Sequence, residues 1–407
     1  MANMRTSDLN PQYLNRYIAA GFISRFMLFE GTWQKYHLNN AEKARKYLQM
    51  AADAANYVMA SGKYSFASDF RSLFGSQDLA GNKEVIMYRH YDAALQVTHH
   101  IASYSNTTES QPQSANLALL KSFICADGEV YQSSTLANAT SLDLANMILT
   151  RDPRFEATFW DTPRKQASTL VYSDKFIDRV GPSFYGGTYP PEYGSNTNTN
   201  DAPVMRLGEV VLNWIEAKAE LATLGGPDVT QADIDASINA IRSRPLDKAA
   251  KDKGIQQTAA MTLADLPDDP DRDADVPALI WEIRRERRME FVFEHSRLLD
   301  IKRWKKINYL DVTTNPDLHL GLWMNFPVDM PEWLEEAKEG KLKVQKADGT
   351  VITYDGTNGN EMVGYYIPEN ISARDAFTDR VYLAPVGIAQ IAQYADKGYT
   401  LTQTPGW

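Results

Sequence analysis

Blocks of helical period, separated by very long stretches that have none, constrain this chain more than any other feature. The first block runs from about Pro11 to Tyr36, where Leu14, Ile18, Phe22, Phe26, Phe29 and Trp33 recur at steps of three and four, one face of a helix. A second helix is expected from Asn40 to about Ser61, with Ala44, Leu48, Ala51, Ala55 and Val58 as its stripe. Asn39 or Asn40 is placed to cap it, and Gly62 to stop it. Small residues on that stripe let another helix approach closely. The two form an expected antiparallel hairpin over 11–61.

The period resumes in RLGEVVLNWIEAKAELATLGG, which puts Leu207, Val211, Trp214 and Leu221 on one side and ends at Gly225 and Gly226. TQADIDASINAIRSRP follows, with Thr230 as N-cap, a stripe of Ile234, Ile238 and Ile241, and Pro245 as the stop. The last block is VPALIWEIRRERRMEFVFEHSRLLDIKRWKK. Further hairpins are expected over 203–244 and 277–307. Helix starts near 12 and 40, and near 204 and 230, are spaced by roughly 26 to 28 residues, which approaches the ~34-residue tetratricopeptide unit, although the strict consensus of that repeat is absent. Between the blocks lie KEVIMYRHY, a short β-rich stretch, one helix near Ser141 to Thr150, and a loop GPSFYGGTYPPEYGSNTNTND. After about Tyr309 the chain reads as mixed and loop-rich. The expected fold is mainly α: a single domain over 1–407, a tetratricopeptide-like scaffold of helical hairpins with long insertions at 104–201 and 309–380 and few short strands. Loops of that length in a compact protein usually carry function.

Composition narrows what they could recognise. Apolar residues make up 43% of the 407 and charged ones 23%, which is ordinary globular usage. A net charge of −10 argues against a nucleic-acid backbone as partner. The single cysteine, Cys125, allows no intramolecular disulfide and no cysteine zinc site, and its apolar setting reads as a buried inert thiol. No apolar run reaches the ~18 residues of a membrane span, and MANMRTSDLN carries no secretory h-region.

The densest charge lies at Glu286, Arg287, Arg288, Glu290, Glu294, Arg297, Asp300 and Arg303. Glutamates every fourth residue share a face, and paired carboxylates are glycosidase chemistry. Crowding arginines lower carboxylate pKa values, though, whereas a general acid needs a raised one. A structural ion-pair network fits better. Asp269, Asp271 and Asp273 alternate as in a calcium loop, but Gly is missing at the sixth position and Ile280 stands where Glu is needed, so a solvated acidic linker is expected. His99 and His100 are adjacent and no histidines have metal-site spacing; nucleotide and serine-hydrolase motifs are absent too. No metal or cofactor is expected. Trp160, Tyr185, Tyr189 and Tyr193 differ in kind, being aromatics set among Gly, Pro, Asn and Thr. They either stack on sugar rings, with neighbouring polar side chains bonding hydroxyls, or pack locally to hold their own loop.

Several segments together resemble the SusD/RagB family. RDPRF at Arg151 to Phe155 is followed, after the long loop, by VMRLGEVVLNWIEAKAEL at Val204 to Leu221. IRRERRMEFVFEHSRLLDIKRWKK resembles the family's ERRxELxFEGxRxxDLxRW signature, and YLAPVGIAQI…LTQTPGW its YLxPIP…LTQNPGY ending. NAEKARKYLQMAADAANYVMASGKYSF matches its early helix and SGKYSL region. His295-Ser296 stands in place of Gly-His, and Val386-Gly387 in place of Ile-Pro. The resemblance implies an α-helical tetratricopeptide scaffold in a surface-exposed outer-membrane lipoprotein. It also implies a glycan ligand, delivery to a SusC-like TonB-dependent transporter and no catalysis. Family members usually carry a signal peptide, a lipobox cysteine and further helices, with part of the sugar site, ahead of the segment where this sequence begins. An N-terminally short chain is therefore expected. A ligand surface on the insertion between Trp160 and Asp201 is the expected site. A tetratricopeptide-like protein adaptor and, less favoured, a glycoside hydrolase are the alternatives.

Overall fold

Asn15 ends an extended segment, and its side-chain oxygen accepts the Tyr17 and Ile18 amides, so helix α1 (Arg16–Tyr36) starts with otherwise orphaned donors satisfied. In this computed structural model, which describes residues 4, 11–111, 114–369 and 377–407, Asn40 caps α2 (Ala41–Met59) through the Lys43 amide. The two helices form the hairpin, and Ala44, Leu48, Ala51, Ala55 and Val58 are all buried as expected. α1 turns a different face to its partner than its largest side chains suggest. Ile18, Gly21, Leu28 and Gly31 are buried, whereas Leu14 is 64% and Phe26 57% exposed. Close approach is the reason. A Cβ on Gly31 would lie 2.7 Å from Cγ of Leu48, so small residues, not aromatics, line the seam.

α3 (Leu207–Ala222) packs against both helices of this hairpin and is buried at Val210, Val211, Leu212, Ile215, Ala217 and Ala219. Thr230 and Asp233 form a reciprocal capping box at α4 (Gln231–Asp235), which leads into α5 (Ile238–Arg242). α6 (Ala278–Glu290) packs on α3, and α7 (Ser296–Arg303) on α1. Strand β1 (Val85–Arg89) pairs antiparallel with β2 (Ala202–Arg206), which runs directly into α3. The helical scaffold is therefore as the sequence period predicts.

The insertions hold more structure than loops. After Tyr309, β3 (Trp323–Asn325), β4 (Lys343–Gln345), β5 (Val351–Thr353) and β6 (Val363–Ile367) form an antiparallel sheet in the order β3-β6-β4-β5. Strands of three to five residues are too short for alternation to show in sequence. The earlier insertion supplies short helices at Leu117–Lys121, Leu144–Thr150 and Arg154–Thr158. Its Phe123, Ile124, Phe155 and Phe159 bury with Leu322, Met324, Phe326 and Tyr366 of the sheet region as a second core. Cys125, next to Ile124, is buried, which raises its pKa, and Nη1 of Arg151 donates to its sulfur at 3.2 Å. Among the described residues no helix is long and apolar enough to cross a membrane.

Candidate functional site

The charged block of α6 fixes the chain that leaves it. Glu290, fully buried, accepts from Arg154 Nη1 at 2.8 Å, from Arg244 Nη2 at 2.8 Å and from Arg206 Nη1. Burial alone would push its carboxyl up; Arg244, Arg206 and Arg154 outweigh burial and hold it well below the usual carboxylate range. Glu286 accepts from Arg242 Nη2 at 3.1 Å and from Arg154. Glu294 accepts from Arg206 Nη2 and from Lys175 Nζ, both at 2.8 Å, and is likewise held low against its burial. Neither Glu290 nor Glu294 has the raised pKa of a general acid. Lys175 also donates to the Val292 carbonyl at 2.8 Å, and burial brings its own pKa down to about 8.

This network pins the turn between α6 and α7, where Phe293 takes φ +60° and turns its ring outward, 36% exposed. For a bulky residue the left-handed region is a genuine outlier, and such strain gathers at binding sites. The ring stands at the edge of a hollow of about 940 Å³, lined also by Tyr91, His99, His100 and Tyr104. Backbone bonds between His99 and Asn198, at 3.0 and 3.1 Å, hold the opposite wall to the end of the long loop. His99 Nδ1 accepts the Ile101 amide at 3.1 Å, which leaves Nε2 to donate to the Asn200 carbonyl at 2.8 Å. Burial lowers its pKa, so the ring is a neutral, fixed tautomer. Tyr91 meets His99 edge-on at 4.4 Å, and Tyr104 meets His100 at 5.3 Å. Glu109 and Ser110 add hydrogen-bonding groups, while the buried Gln111 amide is engaged by the Tyr104 and Ser173 backbone.

The four aromatics singled out in the sequence fall into two groups. Trp160 and Tyr185 flank the Arg164 guanidinium, which sits 4.8 and 4.7 Å from their ring centres, and Tyr185 is 49% exposed. Tyr189 and Tyr193 instead pack with Phe184, Ala102 and Ile177 as a small core inside the loop. The Tyr189 hydroxyl donates to the Asn106 carbonyl, and that of Tyr193 to Asp178 at 2.9 Å. Tyr193 is buried, and its ring face is covered by protein. None of the four lines the hollow. Its own aromatics were not legible as a set: residues 91–111 and Phe293 lie far apart in sequence and line the same hollow only in the folded chain. The one local sign was the His99-His100 pair beside Tyr104.

The acidic run is solvated only in part: Asp265, Asp268, Asp271 and Asp275 are exposed, but two others are engaged by the fold. Asp269 is buried, accepts from Arg285 and takes Trp281 Nε1 at 2.6 Å; Asp273 pairs with Lys306 at 2.8 Å. Asp269 and Asp273 answer cations of α6 and of the chain beyond α7, which sequence spacing does not reveal. Among the described residues no group of three or more His, Cys, Asp or Glu is placed to hold a metal.

The model of the SusD family matches residues 161–407, more than half of the sequence. Among solved structures, a SusD-like carbohydrate binding protein from Bacteroides fragilis NCTC 9343 superposes with TM-score 0.59 at 17% identity, over 94% of this chain and 65% of that one. A second SusD-like protein from the same organism gives 0.55 at 17% identity, over 99% and 67%. A structure solved with xylogluco-oligosaccharide gives 0.53 at 16% identity, over 96% and 68%. This chain thus spans about two thirds of their length. At such identities the likeness carries the fold: a helix-rich scaffold with few short strands. No protein with a curated description matches the sequence significantly. With the family model over its C-terminal half and more, and the fold of those neighbours over nearly all of it, the chain belongs to the SusD family.

Proposed function

We propose that this protein binds an oligosaccharide without cleaving it, at the surface of the outer membrane, and passes it to a SusC-like TonB-dependent transporter. The hollow beside Phe293 carries the binding part of this reading. Its rings offer faces for the apolar C–H side of a sugar, and Glu109 and Ser110 offer partners for hydroxyls. A volume of about 940 Å³ suits a few sugar units. The neighbour solved with xylogluco-oligosaccharide supports sugar as the ligand class. Trp160 and Tyr185, with Arg164 between them, give a second stacking surface on the loop, while Tyr189 and Tyr193 keep that loop in shape. The arginine-held carboxylates support a binding role over hydrolysis.

The test is calorimetry and affinity electrophoresis against a panel of neutral oligosaccharides that includes xylogluco-oligosaccharide, followed by a reducing-end assay on whatever binds. The expected result is binding by at least one glycan, weakened about fivefold to tenfold in Tyr104→Ala, at ~1 kcal/mol per lost ring contact, with no new reducing ends. Sustained product formation, or a Tyr104→Ala variant that folds and binds like the parent, would overturn the assignment.

A further inference from the structure

A second cavity, of about 540 Å³, shares no lining residue with the hollow. Arg284, Arg288 and Arg297 all reach it. Arg284 is buried; its Nη2 donates to the Tyr36 hydroxyl at 3.1 Å and lies 3.7 Å from the Glu220 carboxylate, while its Nε and Nη1 have no hydrogen-bond partner. Arg288 and Arg297 lie deep in the protein yet stay half-open, because they face the cavity. Neither has a hydrogen bond or ion pair among the described residues; Arg297 is compensated only by the more distant charge of Asp300 and by the Tyr309 ring at 6.0 Å.

The acids around this cavity are already engaged. Asp269 serves Arg285 and Trp281, Asp273 serves Lys306 and Tyr309, and Asp317 takes Lys121 at 2.7 Å. Asp271 accepts from Gln132 at 3.2 Å on the exposed side, and Asp300 is paired to Arg287 and Arg303. Burial first, then Arg297 and Arg285, drives Arg288 well below the usual guanidinium range; burial, reinforced by Arg284 and only partly offset by Asp300 and Tyr309, brings Arg297 down to about 10. Guanidinium groups do not shed their proton in proteins, and desolvated charges are otherwise paired. The missing partner is an anion.

We propose that Arg284, Arg288 and Arg297 form a binding site for an oxyanion, a carboxylate or sulfate group, entering the 540 Å³ cavity. Guanidinium forks match the geometry of both groups. The volume exceeds an ion and fits a small organic molecule, and Trp281 and Tyr309 on the wall give it a face to lie against. A sugar acid has this chemistry, as does free sulfate.

Thermal melting is followed while sodium sulfate, sodium glucuronate or glucose is titrated against sodium chloride at fixed ionic strength, for the parent, Arg288→Gln and Arg297→Gln. Both variants are expected to melt at or above the parent in anion-free buffer, since each removes an unpaired charge. The parent's melting temperature rises with the anion by several degrees, glucose has no effect, and the rise is lost in both variants. A response to glucuronate assigns the site to sugar acids, a response to sulfate alone to an inorganic ion; either supports the site. Equal responses in parent and variants, no response to either anion, or unfolding of both variants overturns it. The neutral panel used for the hollow is unaffected by these substitutions, so failure of one reading leaves the other standing.

Discussion

Arg154 and Glu290 are 136 residues apart in sequence, yet Nη1 of the arginine donates to Oε2 of the glutamate at 2.8 Å with both side chains buried. That contact joins the loop insertion to the helical scaffold, and Arg206 and Arg244 converge on the same carboxylate. Truncating one member leaves desolvated charge behind, which costs roughly 3–5 kcal/mol. Glu290→Ala should therefore lose about that much stability in urea denaturation, while protein that remains folded binds glycan like the parent. A variant as stable as the parent but unable to bind would place Glu290 in the ligand site instead.

Stability should also fall in acid through identifiable carboxylates. Burial would raise Glu216, but Arg303 and Arg287 bring it down to about 2; Arg25 and His295 bring buried Glu209 to about 2 in the same way. A depressed folded pKa means stability that is complete above the ordinary value near 4.5 and lost as pH drops toward 2. Each contributes on the order of 3 kcal/mol. Glu84, Asp174 and Glu282 are raised by burial and act in the opposite sense, so the parent's curve is a sum. The comparison that isolates Glu216 is parent against Glu216→Gln, whose stability should change less steeply with pH between about 4.5 and 2. Parallel curves would remove Glu216 from the account.

Where local pattern decides structure, the sequence was readable. Asn40, the Ala44-to-Val58 stripe and the Thr230 cap all act within a few residues, and helices form where they say. The face of α1 was misjudged because hydrophobic size pointed to Phe26, while packing distance selects Gly31. The charge pattern of α6 told of a network, but not that Arg154, Arg206 and Arg244 would come to it from three other segments. Tyr193 illustrates the converse: its polar neighbourhood suggested display, yet Phe184 and Ile177 are enough to bury it.

The α1–α2 seam gives a direct test of that packing argument. In Gly31→Ala the new methyl would meet Cγ of Leu48 at 2.7 Å and the Leu48 amide nitrogen at 2.9 Å. Backbone cannot yield as a side-chain tip does, so the helices must separate, at a cost of about 1–3 kcal/mol. Alanine's better helix propensity returns at most about 1 kcal/mol. Chemical denaturation should show net destabilisation. A gain in stability would mean the helices are further apart than described.

Phe293 allows strain and recognition to be separated. Its φ of +60° costs a non-glycine residue about 1–2 kcal/mol, which Phe293→Ala retains and Phe293→Gly relieves. Both variants lose the ring that meets Phe159 at 6.3 Å and faces the hollow. If the ring is held outward to stack on a sugar, both should bind a glycan that the parent binds about fivefold to tenfold more weakly, at ~1 kcal/mol per ring. The glycine variant should nonetheless be the more stable of the two by about 1 kcal/mol, because only it sheds the strain. Calorimetry and urea denaturation on the same preparations read both quantities. Weaker binding together with that stability order means that the Lys175–Glu294 anchor holds an unfavourable backbone in place for the sake of the ring. Parent-like binding in both variants would leave Phe293 as a packing residue for Phe159 and move the sugar to the Trp160–Tyr185 surface.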